Sequence, residues 1–377
     1  MAVPILKNLT FLIFKHASNK NVHSSISPVS LHFFSTRTLT QLDINPIVFD
    51  ILVHKHHFPC EFASIVASKL HSVKKPETVD SMLSFLKSSG FSIAQLQKIV
   101  GYDPRFLLLS LERNVKPKIN LFQDKGFSSA EIAKIISSCP TILNSSLKNN
   151  IIPSLSALKD LLESDTAVVR VVRLNAWILN MRKIMLANVE FLKSCGVSMQ
   201  RIRIILNNTP GALCHSQQTI RASVEKTKEM GLTVASKPFI YGIQTIASTR
   251  KEGWELKLQA FRDMGFSEND ISSMFRKEPR AFAVSVEKMK KITEGLVATE
   301  RFHVSGIVDY PTSLMYSFEK RYKPRIAILR ILESRNLIEN WPPLRLFSKT
   351  SEAKFYERFV RPYMNEVGGV YKEHMKD

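Results

Sequence analysis

One spacing constrains this chain more than any other: a glycine followed fourteen residues later by a proline, four separate times. The pairs are Gly90 with Pro104, Gly126 with Pro140, Gly196 with Pro210, and Gly265 with Pro279. Gly231 marks a further unit, and a degenerate one falls near Ser164, so the period is about 35 residues, the range of helical repeat arrays. Other positions keep phase with the proline. Three residues on stands Leu107, Leu143, Leu213 or Phe282, and Leu314 after Pro311; six residues on stands Ser110, Ser146, Ser216 or Ser285, and Ser317 after Pro311. A second proline follows thirteen residues on in three units, Pro117, Pro153 and Pro324.

Each unit can be read physically. Behind the glycine come an apolar residue and a serine: Phe91-Ser92, Phe127-Ser128, Val197-Ser198 and Phe266-Ser267. A serine ahead of an apolar-periodic run is an N-cap, and Gln95, Glu131 and Asp270 stand where a capping box needs them. The apolar residue before the cap is expected to staple onto Leu96, Ile132, Ile202 or Ile271. The helix must stop at the proline, which lacks an amide hydrogen and crowds the preceding turn. A short 3₁₀ segment such as Pro140–Leu143 fits next, and then a second helix, with the second proline within its first turn or so. That helix runs to the next glycine, which suits a C′ position with positive φ. A lone unit cannot bury its faces. The expected fold is therefore all-α, a right-handed-type superhelical solenoid of helix, short 3₁₀ turn and helix.

Charge narrows the function. Fifty-three Lys and Arg against 33 Asp and Glu leave +20 at pH 7, a surplus that favours a polyanionic partner. Residues Met1–Thr40 contain no acid and carry Lys7, Lys15, Lys20 and Arg37 among six serines and four threonines. That is the composition of an organellar transit peptide, and its apolar stretch Leu9–Phe14 is far too short to span a bilayer. Losing the leader's four charges still leaves a strongly basic chain. Residues 41–372 are read as the repeat domain, with units anchored at Gly90, Gly126, Gly196, Gly231 and Gly265, a cap from about 326, and a tail over 373–377.

No nucleotide-binding glycine loop, zinc-protease helix or nucleophile elbow occurs. Cys60, Cys139, Cys195 and Cys214 lack metal-site spacing and read as core residues of a reducing compartment. His54-Lys55-His56-His57 reads as a polar helix end rather than a metal site. No catalytic residue, cofactor, metal or small-molecule substrate is expected, and no segment is long and apolar enough for membrane insertion.

The phased segments Phe85-Leu86-Lys87-Ser88-Ser89-Gly90-Phe91-Ser92, Leu121-Phe122-Gln123-Asp124-Lys125-Gly126-Phe127-Ser128 and Phe261-Arg262-Asp263-Met264-Gly265-Phe266-Ser267 resemble the mitochondrial transcription termination factor (mTERF) family in its plant form. The stretch Ser317–Arg325 is similar to that family's last repeat, and Lys354–Val360 to its C-terminal cap. The resemblance covers roughly residues 45 to 372. It implies a superhelix with a basic path for double-stranded nucleic acid and a role in organellar gene expression. Pentatricopeptide arrays share the period, but their glycine and proline stand close together.

The candidate phosphate contacts are basic residues on repeat seams: Arg105, Arg113, Lys116 and Lys118; Arg276, Arg280, Lys288 and Lys291, beside Lys277 and Lys290; and Arg321, Lys323 and Arg325. Tyr102, Tyr241, Tyr310 and Tyr316 flank turns and are the stacking candidates. The expected partner is nucleic acid, double-stranded DNA first and RNA second, met by a monomer in the mitochondrion, with the chloroplast second. A helical scaffold for acidic proteins is the alternative of another class.

Overall fold

Nine residues of the computed structural model, which describes residues 43–374, have φ in the left-handed region, and they fall at a single phase. They are His57, Gly90, Gly126, Glu163, Gly196, Gly231, Gly265, Glu300 and Asn336, separated by 33 to 37 residues. Each closes the second helix of one unit and releases the first helix of the next. At Gly126 the closing hydrogen bonds are those of a Schellman turn: Gly126 N donates to Gln123 O, and Phe127 N donates to Phe122 O. The Phe127 ring then meets Phe122 edge-on at 5.5 Å, and Phe266 meets Phe261 in the same way at 5.4 Å. The apolar residue after the glycine thus pairs with the helix behind it.

The unit after Gly126 shows the plan. Ser128 caps the helix Ser129–Ser138 in a full capping box with Glu131. Pro140 opens a 3₁₀ turn, Pro140–Leu143, whose apolar side chains are buried, and Ser146 caps the second helix by accepting from Asn149 N. Capping boxes also form at Ser92 with Gln95 and at Ser267 with Asp270. Ser198 is the exception and makes no side-chain cap bond. Arg201, at its third helical position, instead sends its guanidinium across to the carbonyls of Val234, Ala235 and Ser236.

The later prolines do something the sequence did not disclose. Where Pro117, Pro153 and Pro324 occur, the second helix begins as a π turn, over Leu111–Val115, Leu147–Ile151 and Phe318–Tyr322. Only past that turn does the α-helix start, with the proline at its second position. An α-helical proline ring would collide with the carbonyl four residues earlier, and the wider turn moves that carbonyl aside. Second helices without the proline, such as Gln217–Glu229 and Val286–Val297, start directly as α. The proline therefore stands at the seventh helical residue, one turn later than expected.

The degenerate unit near Ser164 is structurally regular. Glu163 takes the left-handed position at φ 56°, Ser164 caps Asp165–Leu174, and Ala176 replaces proline at the head of the 3₁₀ turn Ala176–Asn180. The unit after Gly231 does differ: its first helix starts only at Phe239, runs through Thr245, and joins Lys251–Asp263 without a 3₁₀ segment. No strand occurs among the described residues, and the chain is an all-α helical repeat solenoid. The expected leader Met1–Thr40 and most of the 373–377 tail lie outside the described residues.

Candidate nucleic-acid interface

The serines six residues past the proline all have the same task. Ser110, Ser146, Ser216, Ser285 and Ser317 each accept from the backbone N–H three residues on, capping the second helix of their unit. Successive helix N-termini, with their partial positive charge, thus recur once per unit. Cations gather at the same ends. Arg113, Lys148, Lys290 and Lys320 lie in the first two turns of these capped helices, Arg182, Lys183 and Lys251 in those of two second helices without a side-chain cap, and none of the seven takes part in an ion pair among the described residues. From Ser110 onward, the acids in those turns are Glu112, Glu252, Glu255, Glu287 and Glu319. Toward the helix C-termini acids and bases alternate and pair locally, as in Glu190–Lys193, Glu225–Lys228 and Lys226–Glu229. Positive charge is therefore concentrated at helix starts rather than spread along the helices. The unit after His57 departs from this: its second helix opens with Glu77 and Asp80, and Asp80 binds Lys55 and His56 at 2.9 Å each.

The sequence candidates fall into three groups. Arg113 and Arg276 are exposed and free of ion pairs among the described residues. A second group is exposed or half-buried but tethered. Arg105 follows Pro104 and is held by Asp103 at 2.8 Å, which keeps that carboxyl below its usual range. Arg280, at the same place after Pro279, is held by Glu278 at 2.7 Å and lies over the Tyr241 ring at 4.8 Å. Lys116 pairs with Glu112 and covers Phe85, and Lys291 and Lys323 share Glu319. Lys277 reaches Asp309 at 3.2 Å, Lys288 donates to Met315 O at 2.6 Å, and Arg321 donates to Ser348 O at 2.8 Å while covering Tyr316.

The third group is Lys118 and Arg325, and here the expectation of a surface contact gives way. Lys118 is 2% exposed and Arg325 1% exposed. Lys118 Nζ donates to Leu143 O and Asn114 Oδ1, and burial pushes its ammonium down to about 8. Arg325 donates to Phe347 O, Thr350 O and Glu352. Their polar ends are consumed by the protein. Conversely, Arg182, Lys183, Lys251 and Lys320 were not singled out from sequence. The signal that marks them is a base within two turns of the start of a second helix.

Of the tyrosines, Tyr102 is the most open at 56% exposure, while Tyr241 and Tyr316 already carry a guanidinium. Cys60 is exposed, not a core residue, and Cys139 is buried. His56 is buried against Asp80, and among the described residues no three His, Cys, Asp or Glu groups are placed to hold a metal ion. No described helix is long and apolar enough to cross a membrane.

Against known families, the mTERF model matches residues 48–236 and 181–356. The chain belongs to the mTERF family. Among curated relatives it is similar to transcription termination factor MTERF15, mitochondrial, of Arabidopsis thaliana, at 22% identity over 224 residues, which is 50% of each chain. It is also similar to transcription termination factor MTERF8, chloroplastic, of the same plant, at 21% identity over 137 residues, covering 36% of this chain and 27% of that one. This mTERF chain thus spans half or less of the length of these relatives. Both are organellar by name, one for each organelle.

Proposed function

We propose that this mTERF-family protein is a nucleic-acid-binding regulator of organellar gene expression that acts by occupancy, without catalysis or a cofactor. One observation carries the reading: cations free of ion pairs recur at the N-terminal ends of the second helices, capped or not, while the far ends of those helices are close to charge-balanced. A row of such ends one repeat apart suits a chain of phosphates, which each helix start can meet with a dipole, a lysine or arginine, and exposed backbone N–H groups. Double-stranded DNA is the first ligand and RNA the second. The names of the relatives add transcription termination as the process, and the acid-free leader adds the mitochondrion ahead of the chloroplast. The protein works as a monomer on its target.

The test is binding of the full-length chain to random 25-mer duplex DNA and to single-stranded RNA across a salt series. Duplex binding whose log affinity falls with log salt at about 0.9 per neutralised phosphate supports the reading. Lys148→Ala should then lower the slope by about one and weaken all sequences alike. Tighter binding of RNA at equal salt moves the protein to transcript processing. Binding of neither at low salt leaves the helical scaffold for acidic proteins.

A further inference from the structure

One residue in each second helix sits at a phase where a hydrophobic side chain is expected, is buried, and is often polar. Lys118, Ser154, Asn188 and Lys257 are each no more than 7% exposed. Each donates to a backbone carbonyl 25 residues ahead: Lys118 to Leu143 O, Ser154 to Leu179 O at 2.7 Å, Asn188 to Leu213 O at 3.0 Å, and Lys257 to Phe282 O. Arg325 closes the series on Phe347 O and Thr350 O.

The acceptors share one location. Leu143, Leu213 and Phe282 are the last or next-to-last residues of the 3₁₀ turn of the following unit, three residues before the capping serines Ser146, Ser216 and Ser285. Leu179 lies just ahead of the helix Arg182–Ser194, and Asn188 takes a further carbonyl at His215, next to Ser216. A second helix thus grips the segment that launches the next second helix. Where the following unit has no 3₁₀ turn, the pattern lapses: Ser223 donates within its own helix, to Thr219 O. The grip cannot slacken cheaply. A desolvated ammonium or amide that loses its carbonyl stays buried and unpaired, and so does the carbonyl.

We propose that this buried column is the positioning device of the nucleic-acid track: each donor sets where the next cationic helix start stands, without itself touching the ligand. The proposal rests on the nucleic-acid reading above. The reach of the donor differs along the chain, a four-carbon stem at Lys118 and Lys257 against a single carbon at Ser154. The joints are therefore specified one by one, and the helix starts are placed individually along the phosphates.

Met82 occupies the same phase in the unit before Lys118 and is also buried, so methionine is a side chain this fold already accommodates there. The test takes the full-length chain and its Lys118→Met and Lys257→Met variants, with Lys148→Ala as the contact control. Backbone hydrogen exchange and the salt dependence of duplex binding are read together. Lys118→Met should speed exchange in residues 141–149 and Lys257→Met in residues 280–288, each leaving the other joint unchanged. Both should weaken binding several-fold at an unaltered salt slope, whereas Lys148→Ala lowers the slope. Unchanged exchange at the gripped turn overturns the proposal, as does loosened exchange with unchanged affinity. A slope that falls by about one per Lys→Met change also overturns it, since the ammonium would then be a phosphate contact itself. Should the unaltered chain bind neither duplex nor RNA, the nucleic-acid reading fails, and the exchange pattern alone still decides whether the column fixes the turns.

Discussion

Replacing Glu300 by glycine should stabilise the protein, although it removes a side chain. Glu300 has φ 61°, is exposed, and makes no ion pair among the described residues. A residue with a Cβ pays about 1–2 kcal/mol to enter the left-handed region, and Glu300→Gly removes that strain. Against it stands the greater freedom of glycine in the unfolded chain, about 0.5–1 kcal/mol. The net expectation is a gain of about 0.5–1 kcal/mol, the difference between those two terms. Gly265→Ala is the mirror experiment. A Cβ at Gly265 would meet nothing within 4 Å, so its cost is the backbone alone, and a loss of the same size is expected. At Gly231 the loss should be larger, because a Cβ there would stand 3.1 Å from Arg276 Cδ and Nη1. Urea unfolding read by far-UV circular dichroism and by fluorescence gives the midpoints, and coincidence of the two probes licenses the comparison. A midpoint that falls for Glu300→Gly, or a neutral Gly265→Ala, would refute the claim that these positions share one backbone state for one reason.

The buried ammonium of Lys118 sets a pH dependence. Its folded value, near 8, lies below the free lysine value of 10.5, so between those limits the unfolded chain binds more protons and stability rises with pH. The rise should approach about 3 kcal/mol at 1.36 kcal/mol per unit, and the difference in urea midpoint between the unaltered chain and Lys118→Met at pH 7.5 and 10 isolates it. Ser285→Ala removes a cap that Lys288 N uses at 3.2 Å and should cost about 1 kcal/mol, whereas Ser198→Ala, at a serine that makes no side-chain cap bond, should be near neutral in the same assay. Glu278→Gln should release Arg280 for phosphate and raise both duplex affinity and salt slope; an unchanged slope in titrations from low to high salt would show that Arg280 is not in the track.

Most of the fold was legible because the repeat spends its informative residues at places where chemistry leaves little choice. A glycine at positive φ, a serine ahead of a helix and a proline at a helix end each answer one backbone requirement, and their spacing fixes the element lengths. The degenerate unit was hidden because each requirement also has a costlier answer. Glu163 accepts the left-handed conformation, and Ala176 heads a 3₁₀ turn that proline would only have pre-set. Even the acid before the proline has a substitute: Asn175 accepts from Trp177 N as Asp103 does from Arg105 N. The π turns were not legible, since a proline six residues into a helix reads as a stop until one sees that a single wider turn tolerates it.

The candidate site was read less well, for a reason that lies in the residues themselves. Charge counting treats every lysine as a surface group, yet Lys118 lies on the stripe Val115, Ile119 and Phe122, and Lys257 on Trp254, Leu258 and Phe261, all buried. Arg325 lies likewise among Tyr322, Ile326 and Leu329. A long cation at the apolar phase of an amphipathic helix has its head either in water beyond the stripe or on a carbonyl inside it. When the same phase recurs as Lys, Ser, Asn, Ser and Lys in five successive units, and as Arg in the last, snorkelling cannot be the common explanation, because serine and asparagine have no stem to snorkel with. The recurrence of a polar group at one buried phase was thus the readable sign that those charges belong to the joints. The unpaired bases at the second-helix starts then remain as the proposed phosphate contacts.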